Sequence, residues 1–309
     1  MKLRNTLLAT ALVTALPAGQ ALAQCETIRF SDVGWTDITA TTAMTTMILE
    51  ELGYDTDIKV LSVPVTYASM KNGDIDVFLG NWMPTMEADV RPYLEDGSVI
   101  SLLANLYGAK YTLAVPQYTY DAGLKTFADI AKFKEQLDGK IYGIEAGNDG
   151  NRLILEMIEQ DAYGLKGFDV VESSEQGMLS QVARAARSQD HMVFLGWEPH
   201  PMNANFEMAY LDGGDDWFGP DYGGATVYTN VRKGFAEDCP NVNAFLQQLV
   251  FSLEMENAIM SSILNDGDDP DVAAEKYLEA NPTIIEPWLA GIKTADGKDG
   301  LAELQSELN

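Results

Sequence analysis

Tryptophan follows a short apolar run at two places in the chain, where the face of its ring could bind a cation. The segments VFLGNWMP and VFLGWEPHP are near copies, and each predicts a buried strand that ends just before Trp82 or Trp197. Trp35 follows the first predicted strand in the same way, and Tyr111 lies where the chain crosses between two predicted units. Aromatic faces attract a quaternary ammonium group by about 2 kcal/mol or more when the site is desolvated. The four residues therefore indicate a cation site, although each could instead be an ordinary packing aromatic.

Three polar residues accompany these aromatic positions in the sequence. Asp37 lies two residues after Trp35, where it could cap a helix, face a bound cation, or do both. Asn148 follows a predicted strand and precedes a predicted helix, so it could be a loop or cap residue or could hold a hydroxyl or an anion. Arg152 could pair with a ligand carboxylate at the same place, which leaves a zwitterionic ligand open.

Signals for catalysis or metal binding are weak. His191 and His200 are nine residues apart, which fits no standard zinc pattern. The chain lacks the GxSxG, P-loop and GxGxxG motifs, and Cys25 has no base near it in sequence. We therefore expect no catalytic residue, no metal and no cofactor. Trp217 and Trp288 match no predicted strand end and are interpreted as structural.

The apolar pattern places the candidate residues on two successive α/β units. The first unit predicts strands and helices in alternation, at residues 27–33, 37–53, 57–63, 64–73 and 74–80. The second repeats this alternation at residues 109–116, 127–137, 140–146, 151–160, 168–173, 174–187 and 191–196. Such alternation favours parallel sheets with right-handed crossovers, and ligands bind beyond the carboxyl ends of their strands. The predicted fold class is α/β, with aromatic residues from both units meeting at strand ends.

The remainder of the chain predicts a return to the first unit. A loop at 212–224 and a strand at 225–231 precede three helices, predicted at 239–264, 269–280 and 282–292, and a surface tail. A disulfide between Cys25 and Cys239 would bring these helices back to the beginning of the mature chain. We therefore predict one domain at 25–108 plus 224–309 and an inserted domain at 109–223, with a hinge near Gly108 and residues 222–224.

The first 23 residues have the pattern of a secretory signal peptide. Lys2 and Arg4 give a basic start, residues 7–16 an apolar centre, and residues 21–23 a small-residue end. The alternative is a buried first helix. Gln24 is not the small residue that a lipoprotein signal has before its cysteine, so we expect an exported, periplasmic and unanchored protein. In an oxidising compartment its two cysteines, Cys25 and Cys239, favour a disulfide, with two free thiols as the alternative.

The strong negative charge restricts the partners of the protein. The formal net charge is −27, which argues against nucleic acid and anionic lipid as binding partners. The same charge favours a cationic ligand only weakly, because acidic surfaces also arise for solubility. We expect a monomer.

Several motifs closely resemble those of one protein family, and the likeness covers nearly the whole mature chain. They resemble the choline-binding members of the glycine betaine/choline substrate-binding family, which serve ABC importers in the periplasm. The motifs are FSDVGWTDITAT, LSVPVTY, DIDVFLGNWMP, YGIEAGNDGNRL, SSEQGMLSQVARA and VFLGWEPHPMN.

This resemblance implies a type II periplasmic-binding-protein fold, with two α/β domains that close on a ligand. It implies that choline is the ligand, that a membrane permease is the partner, and that the two cysteines form the family's disulfide. The implied ligand-binding residues are an aromatic box with two polar partners, at Trp35, Trp82, Tyr111 and Trp197 with Asp37 and Asn148.

Two other functions stay open at this point. A betaine-type binder would hold a carboxylate where choline has its hydroxyl, and only Arg152 and a helix start offer donors for it. An extracellular enzyme acting on a choline ester would need a nucleophile and a base, and the sequence shows no such pair.

Overall fold

A computed structural model of the protein describes Cys25 and residues 27–307. The proposed signal peptide at 1–23 and the residue Gln24 lie outside the described residues. Within the part of the chain that is described, no helix is both long enough and apolar enough to cross a membrane.

The first stretch of chain alternates strand and helix, as the sequence predicts. Its elements are β1 (Thr27–Asp32), α1 (Thr36–Glu51), β2 (Asp55–Val60), α2 (Val63–Asn72), β3 (Val77–Met83) and α3 (Glu87–Glu95). β1 pairs in parallel with both β2 and β3, so their carboxyl ends lie at one edge of the sheet. The helix α2 ends at Gly73, whose left-handed backbone (φ 80°) stops it.

The second stretch begins with a long strand and repeats the alternation. Its strands are β4 (Val99–Pro116), β5 (Lys140–Tyr142), β6 (Asp169–Val171), β7 (Phe194–Glu198) and β8 (Met208–Tyr210). Its helices are α4 (Gln117–Asp121), α5 (Phe127–Ile130), α6 (Asp149–Glu159), α7 (Glu175–Ser188), α8 (Met202–Asn205), α9 (Asp215–Phe218) and α10 (Pro220–Gly223), with 3-10 turns at Ala131–Phe133 and Ala162–Gly164. β5 pairs in parallel with β6 and β7.

The third stretch returns along the sheet and then becomes helical. It comprises β9 (Gly224–Arg232), α11 (Phe235–Asp238), α12 (Pro240–Leu246), α13 (Leu253–Ser261), α14 (Pro270–Ala280), α15 (Ile285–Trp288) and α16 (Gly300–Glu307). A π-helical turn at Ser262–Asp266 follows α13, and a 3-10 turn at Pro282–Ile284 precedes α15.

All nine strands of the described chain hydrogen-bond into one mixed sheet. Its order is β2-β1-β3-β9-β4-β7-β5-β6, and β8 also pairs with β4. We name β1–β3, α1–α3 and α11–α16 the first lobe, and β5–β8 with α4–α10 the second lobe. β4 belongs to both, because residues 99–110 pair with β9 whereas residues 110–116 pair with β7 and β8. The predicted α/β class is confirmed; the division at 108/109 and 223/224 stays a proposal, and it falls where β4 and β9 run side by side.

The predicted disulfide is confirmed. Cys25 and Cys239 are bonded, with their Cα atoms 5.1 Å apart, although 214 positions separate them in sequence. The bond ties Cys25, two residues before β1, to the residue before α12, and α13 and α14 of the C-terminal part pack on α1. The first and last parts of the described chain therefore belong to one folded body.

Two local predictions are wrong, each because of contacts distant in sequence. The single helix predicted at 239–264 is broken, since Ser252 caps the new helix α13 by accepting the N–H of Met255 (3.1 Å) and Phe251 N–H donates to Asn105 O (2.7 Å). The two tryptophans do not lie beyond strand ends: β3 and β7 continue through them by pairing with β9 and β4. The tail, predicted as a surface segment, is exposed or partly exposed at most of its described positions, and within it α16 buries Leu304.

Candidate functional site

One cavity between the lobes collects the residues that the sequence singled out. Eight residues line it, and none of them is more than 6% exposed. Six are the predicted site residues, and Ile144 and Asp149 are additional. The lining residues are Trp35, Asp37, Trp82, Tyr111, Ile144, Asn148, Asp149 and Trp197.

Aromatic rings from both lobes meet in this cavity. Tyr111 of β4 lies opposite Trp197 of β7 in the antiparallel register, and their rings are 6.2 Å apart at 82°. Trp82 of β3 approaches Tyr111 with a centroid distance of 6.1 Å and an angle of 64°. Trp35 precedes α1 and completes the lining from the first lobe. Edge-to-face arrangements of this kind are a favoured geometry for aromatic pairs and hold the three rings together at the cavity wall.

The indole N–H groups of two tryptophans are held by carboxylates. Trp35 Nε1 donates to Glu145 Oε1 across the lobes at 2.8 Å, and Trp82 Nε1 donates to Asp37 Oδ2 at 3.1 Å. A buried indole N–H needs such a partner, and the partner fixes the plane of the ring. Trp35 and Trp82 are therefore held in place by hydrogen bonds as well as by packing.

Asp37 is a buried carboxylate at the cavity wall, and the prediction that it caps α1 is wrong. The helix begins at Thr36, with Trp35 at the cap position, so Asp37 is its second residue. Asp37 Oδ1 is buried and accepts no hydrogen bond from the residues that the structure describes. Burial raises the pKa of Asp37 to about 8, and the charge of Glu175 adds to the rise. A buried carboxylate with one oxygen lacking a partner favours a cation beside it.

Asn148 caps a helix and also lines the cavity, so its interpretation as a cap is confirmed, whereas its role in holding a hydroxyl stays a prediction. Its Oδ1 accepts the N–H of Asn151 in the first turn of α6 (3.1 Å) and the hydroxyl of Tyr111 (2.9 Å). Its Nδ2 donates to Asp149 Oδ1 at 3.1 Å. An amide nitrogen has two hydrogens, so Nδ2 retains one N–H beyond this bond.

Asp149 places a second carboxylate in the cavity wall, which the sequence analysis missed. It is fully buried, and burial raises its pKa to about 7, with the charge of Asp89 adding to the rise. Its Oδ2 accepts no hydrogen bond within the described chain. The Thr85 hydroxyl lies near enough to favour the charged form, but it is directed at the carbonyl of Trp82 at 3.2 Å. The only signal in the sequence was its position beside Asn148 at a helix start.

Arg152 lies outside the cavity and is occupied by other partners. Its guanidinium donates to Asp89 Oδ2 at 2.9 Å and to the carbonyl of Thr85 at 2.8 Å, both in the first lobe. It also pairs with Glu156 at 3.1 Å, one turn later on its own helix. A guanidinium held in this way links the two lobes through its terminal nitrogen Nη2, whereas its buried Nε has no hydrogen-bond partner among the described residues.

The two histidines do not form a metal site. His191 Nδ1 is within hydrogen-bond distance of Thr119 Oγ1 (2.9 Å), whereas buried His200 contacts Glu175 (3.2 Å). Among the residues with described coordinates, no group of three or more His, Cys, Asp or Glu side chains is arranged to hold a metal ion. Trp288 is buried and donates to the carbonyl of Val250, which agrees with its structural interpretation.

Comparison with known proteins identifies similar chains along most of this length. The profile of the family described as "Substrate binding domain of ABC-type glycine betaine transport system" matches residues 26–280. A solved ABC-transporter choline binding protein in complex with choline is 67% identical, covers 92% of this chain and 99% of its own, and has a TM-score of 0.91. The structure of an ABC-transporter choline binding protein in an unliganded semi-closed conformation has the same identity and coverage and a TM-score of 0.86.

A more distant relative comes from Listeria monocytogenes. Its glycine betaine/carnitine transport binding protein is 31% identical over 167 residues, which cover 53% of this chain and 54% of that protein. The similarity to the solved structures confirms the predicted two-lobed substrate-binding-protein fold.

Proposed function

The chain belongs to the family of substrate-binding domains of ABC-type glycine betaine transport systems, and from that premise we propose that it captures choline for an importer. Over the 92% of the chain that aligns, 67% of the residues are identical to those of a choline binding protein solved with choline. The partner is the membrane permease of the importer, and the function is binding and delivery rather than catalysis.

The observation that carries this proposal is the combination of aromatic faces and buried carboxylates around one small cavity. Four aromatic rings and two carboxylates, Asp37 and Asp149, line it, and its lining contains no Lys or Arg. Each carboxylate has a buried oxygen that receives no hydrogen bond from the described residues. A quaternary ammonium cannot donate N–H hydrogen bonds, but its charge stabilises both carboxylates and is attracted by the rings. Such a lining suits a cation that has an apolar surface.

The polar end of choline finds complementary groups on the second lobe. We assign the trimethylammonium group to the box of Trp35, Trp82, Tyr111 and Trp197. The hydroxyl then accepts the remaining N–H of Asn148 Nδ2 and donates to Asp149 Oδ2. A hydroxyl can do both at once, because it is a donor and an acceptor.

Glycine betaine is the second candidate, because the family is described by that ligand. Its carboxylate would lie where the choline hydroxyl lies, beside Asp149 and within the field of Asp37. Arg152, the basic residue nearest in sequence, is held by Asp89 and Thr85. Burying a carboxylate without a partner costs several kcal/mol. The cavity therefore favours choline over glycine betaine.

Closure of two domains around the ligand accounts for the burial of the cavity. We propose that the domains are 25–108 plus 224–309 and 109–223, and that they rotate about the paired strands β4 and β9. Hydrogen bonds join the lobes across the cavity, from Trp35 to Glu145 and from Arg152 to Asp89. The higher TM-score with the choline complex than with the semi-closed structure fits this view.

The location of the protein follows from the same family. Substrate-binding proteins of ABC importers work outside the inner membrane, and we propose that residues 1–23 direct export and that no lipid anchor is attached. We also propose that the protein acts as a monomer. Hydrolysis of a choline ester is the enzymatic alternative, and no nucleophile paired with a base lines the cavity that the structure describes.

Titration calorimetry with choline and with glycine betaine tests the proposed function. We expect choline to bind at least about a hundredfold more tightly, a difference of about 2.7 kcal/mol. Trp82→Ala should weaken choline binding at least about tenfold, since a desolvated ring face contributes about 2 kcal/mol. The matched control is Trp217→Ala, a half-buried tryptophan outside the cavity, which should bind as the wild type does. Equal affinity for both ligands would contradict the choline assignment.

A further inference from the structure

The helix α1 receives its N-terminal hydrogen-bond partner from the other lobe. Its cap residue is Trp35, whose side chain makes no capping hydrogen bond. The N–H of Thr36 instead donates to Glu175 Oε2 at 2.8 Å, and the Thr36 hydroxyl donates to Glu175 Oε1. Glu175 is 139 positions away in sequence and is 1% exposed. The carboxylate thus satisfies a free N–H and faces the positive end of the helix dipole.

Glu175 is itself held by a buried histidine. His200 Nδ1 accepts the N–H of Met202 at 2.9 Å, so in the neutral ring the hydrogen is on Nε2. That Nε2 lies 3.2 Å from Glu175 Oε1 and donates to it. The His200 ring also packs edge-on against Trp197, with centroids 5.0 Å apart at 72°. One carboxylate therefore connects α1 of the first lobe with an aromatic residue of the second.

The position of Thr36 makes this contact important for the cavity. Thr36 lies between Trp35 and Asp37, and both of these neighbours line the cavity. We propose that Glu175 is a positioning residue that couples closure of the lobes to assembly of the aromatic box, a role that rests on the proposed function. Glu175 does not line the cavity and contacts none of the atoms that we expect to touch the ligand. It acts through Thr36 in the first lobe and through His200 in the second.

The contact between Thr36 and Glu175 stabilises the closed form of the protein but not the open form. When the lobes separate, Thr36 and Glu175 each exchange a buried partner for water. Their hydrogen bonds stabilise the closed form alone, so losing them favours the open form and lowers the apparent affinity of any ligand held in the closed form. The ligand should then leave faster, because opening limits its release, while its association changes little.

A double-mutant cycle with Glu175→Gln and Thr36→Val tests the proposal. Glu175→Gln keeps the shape of the side chain and removes its charge. Thr36→Val removes the hydroxyl that donates a hydrogen bond to Glu175. We expect Glu175→Gln to release choline about tenfold faster in stopped-flow fluorescence, which corresponds to about 1.4 kcal/mol. The double variant should lose less than the two single variants combined, since both changes break one contact.

The matched control is Asp129→Asn. Asp129 is also an acidic residue of a helix start, but its partner Thr126 belongs to its own lobe. This variant should melt at a lower temperature and still release choline at the wild-type rate. A purely structural role for Glu175 would give the same result as Asp129→Asn.

A second measurement needs no ligand and separates this proposal from the proposed function. Two spin labels, one on each lobe, report the lobe separation in the ligand-free protein, and Glu175→Gln should shift it towards longer distances. Failure of the wild-type protein to bind choline would remove the proposed function. Unchanged distances in Glu175→Gln, or wild-type release rates in that variant, would overturn the coupling role.

Discussion

Buried acids distinguish the proposed ligand cavity from an ordinary apolar pocket. Asp37 and Asp149 lie in its wall, and burial raises the pKa of both. Glu256 on α13 is also buried, its pKa is raised well above the usual range by burial, and the charge of Asp37 adds to the rise. With pKa values of about 8 and about 7, Asp37 and Asp149 are partly protonated near neutral pH, so the charge available to a cation depends on pH.

We predict that choline binding strengthens as the pH rises. The pKa of Asp37 is about 8 in the folded protein and near 3.9 in the unfolded chain. Between these two pH values the folded protein binds a proton at Asp37 that the unfolded chain does not bind. The stability of the ligand-free protein therefore falls as the pH rises towards 8. A bound cation favours the deprotonated form and removes this loss. Choline affinity should therefore fall about tenfold from pH 8 to pH 6, because each pKa unit of coupling corresponds to about 1.36 kcal/mol.

Calorimetry in buffers with different ionisation enthalpies checks the prediction, since choline binding should release protons at neutral pH. The control is Asp37→Asn, which should bind choline weakly and with a flatter pH profile. Wild-type affinity that stays constant from pH 6 to pH 8 would mean that neither carboxylate titrates with the ligand.

At the scale of elements, the start of α6 and the strand β4 approach so closely that only glycine fits between them. A Cβ atom on Gly150 would lie 2.1 Å from the Tyr111 hydroxyl oxygen and 3.0 Å from Leu195 Cδ1. The absence of a side chain thus allows Tyr111 to reach Asn148 at 2.9 Å. The packing of two backbone elements here determines where an aromatic ring of the cavity lies.

We predict that Gly150→Ala weakens choline binding at least about tenfold, because overpacking of about 1–3 kcal/mol must be relieved by moving the ring of Tyr111. Calorimetry measures the affinity, and near-UV circular dichroism shows whether the aromatic environment changes. The matched control is Tyr111→Phe, which keeps the ring and removes the hydroxyl, and we expect a smaller loss from it. If Gly150→Ala binds like the wild type, the close approach does not determine the geometry of the box.

Much of this arrangement could be predicted from local sequence. The repeated apolar run before Trp82 and Trp197 indicated two strands of equivalent position, and all six predicted site residues line one cavity. Apolar periodicity is a local property of the sequence and predicts each strand and helix. The alternation of these elements then predicts the α/β fold class. The resemblance of the motifs to one family supplied the choice of choline, which periodicity alone does not give.

The features that the sequence did not predict depend on contacts between distant parts of the chain. Glu175 reads as an ordinary residue of a helix start, and its contact with Thr36 exists only because two lobes meet. Asp149 was overlooked because burial, not spacing, gives it a role. The break before α13 arises where Phe251 N–H donates to the Asn105 carbonyl, a pairing that no helical periodicity reveals.

At the scale of the whole molecule, the chain leaves the first lobe, builds the second, and returns. The disulfide between Cys25 and Cys239 fixes this return at the side of the first lobe. Neither cysteine lines the cavity, so the bond acts on the stability of the lobe and not on the ligand directly.

We predict that the double variant Cys25→Ser/Cys239→Ser loses about 2–4 kcal/mol of unfolding free energy, because the unfolded chain is no longer constrained over a long loop. Choline affinity should change by less than about twofold, a free-energy difference of about 0.4 kcal/mol. Chemical denaturation and calorimetry measure the two quantities, and reduced wild-type protein is the control. If the double variant kept its stability but bound choline more weakly, the disulfide would act on ligand binding and not on the stability of the lobe.

The enclosure of the cavity has a kinetic consequence. Its lining residues are almost completely shielded from solvent, and hydrogen bonds from one lobe to the other lie around it. A trapped molecule therefore cannot diffuse out until the lobes part, however weakly the rings hold it. The residence time of the cargo has a lower bound set by the frequency of opening. A membrane complex that pulls the lobes apart could empty the site without competing for a single contact inside it.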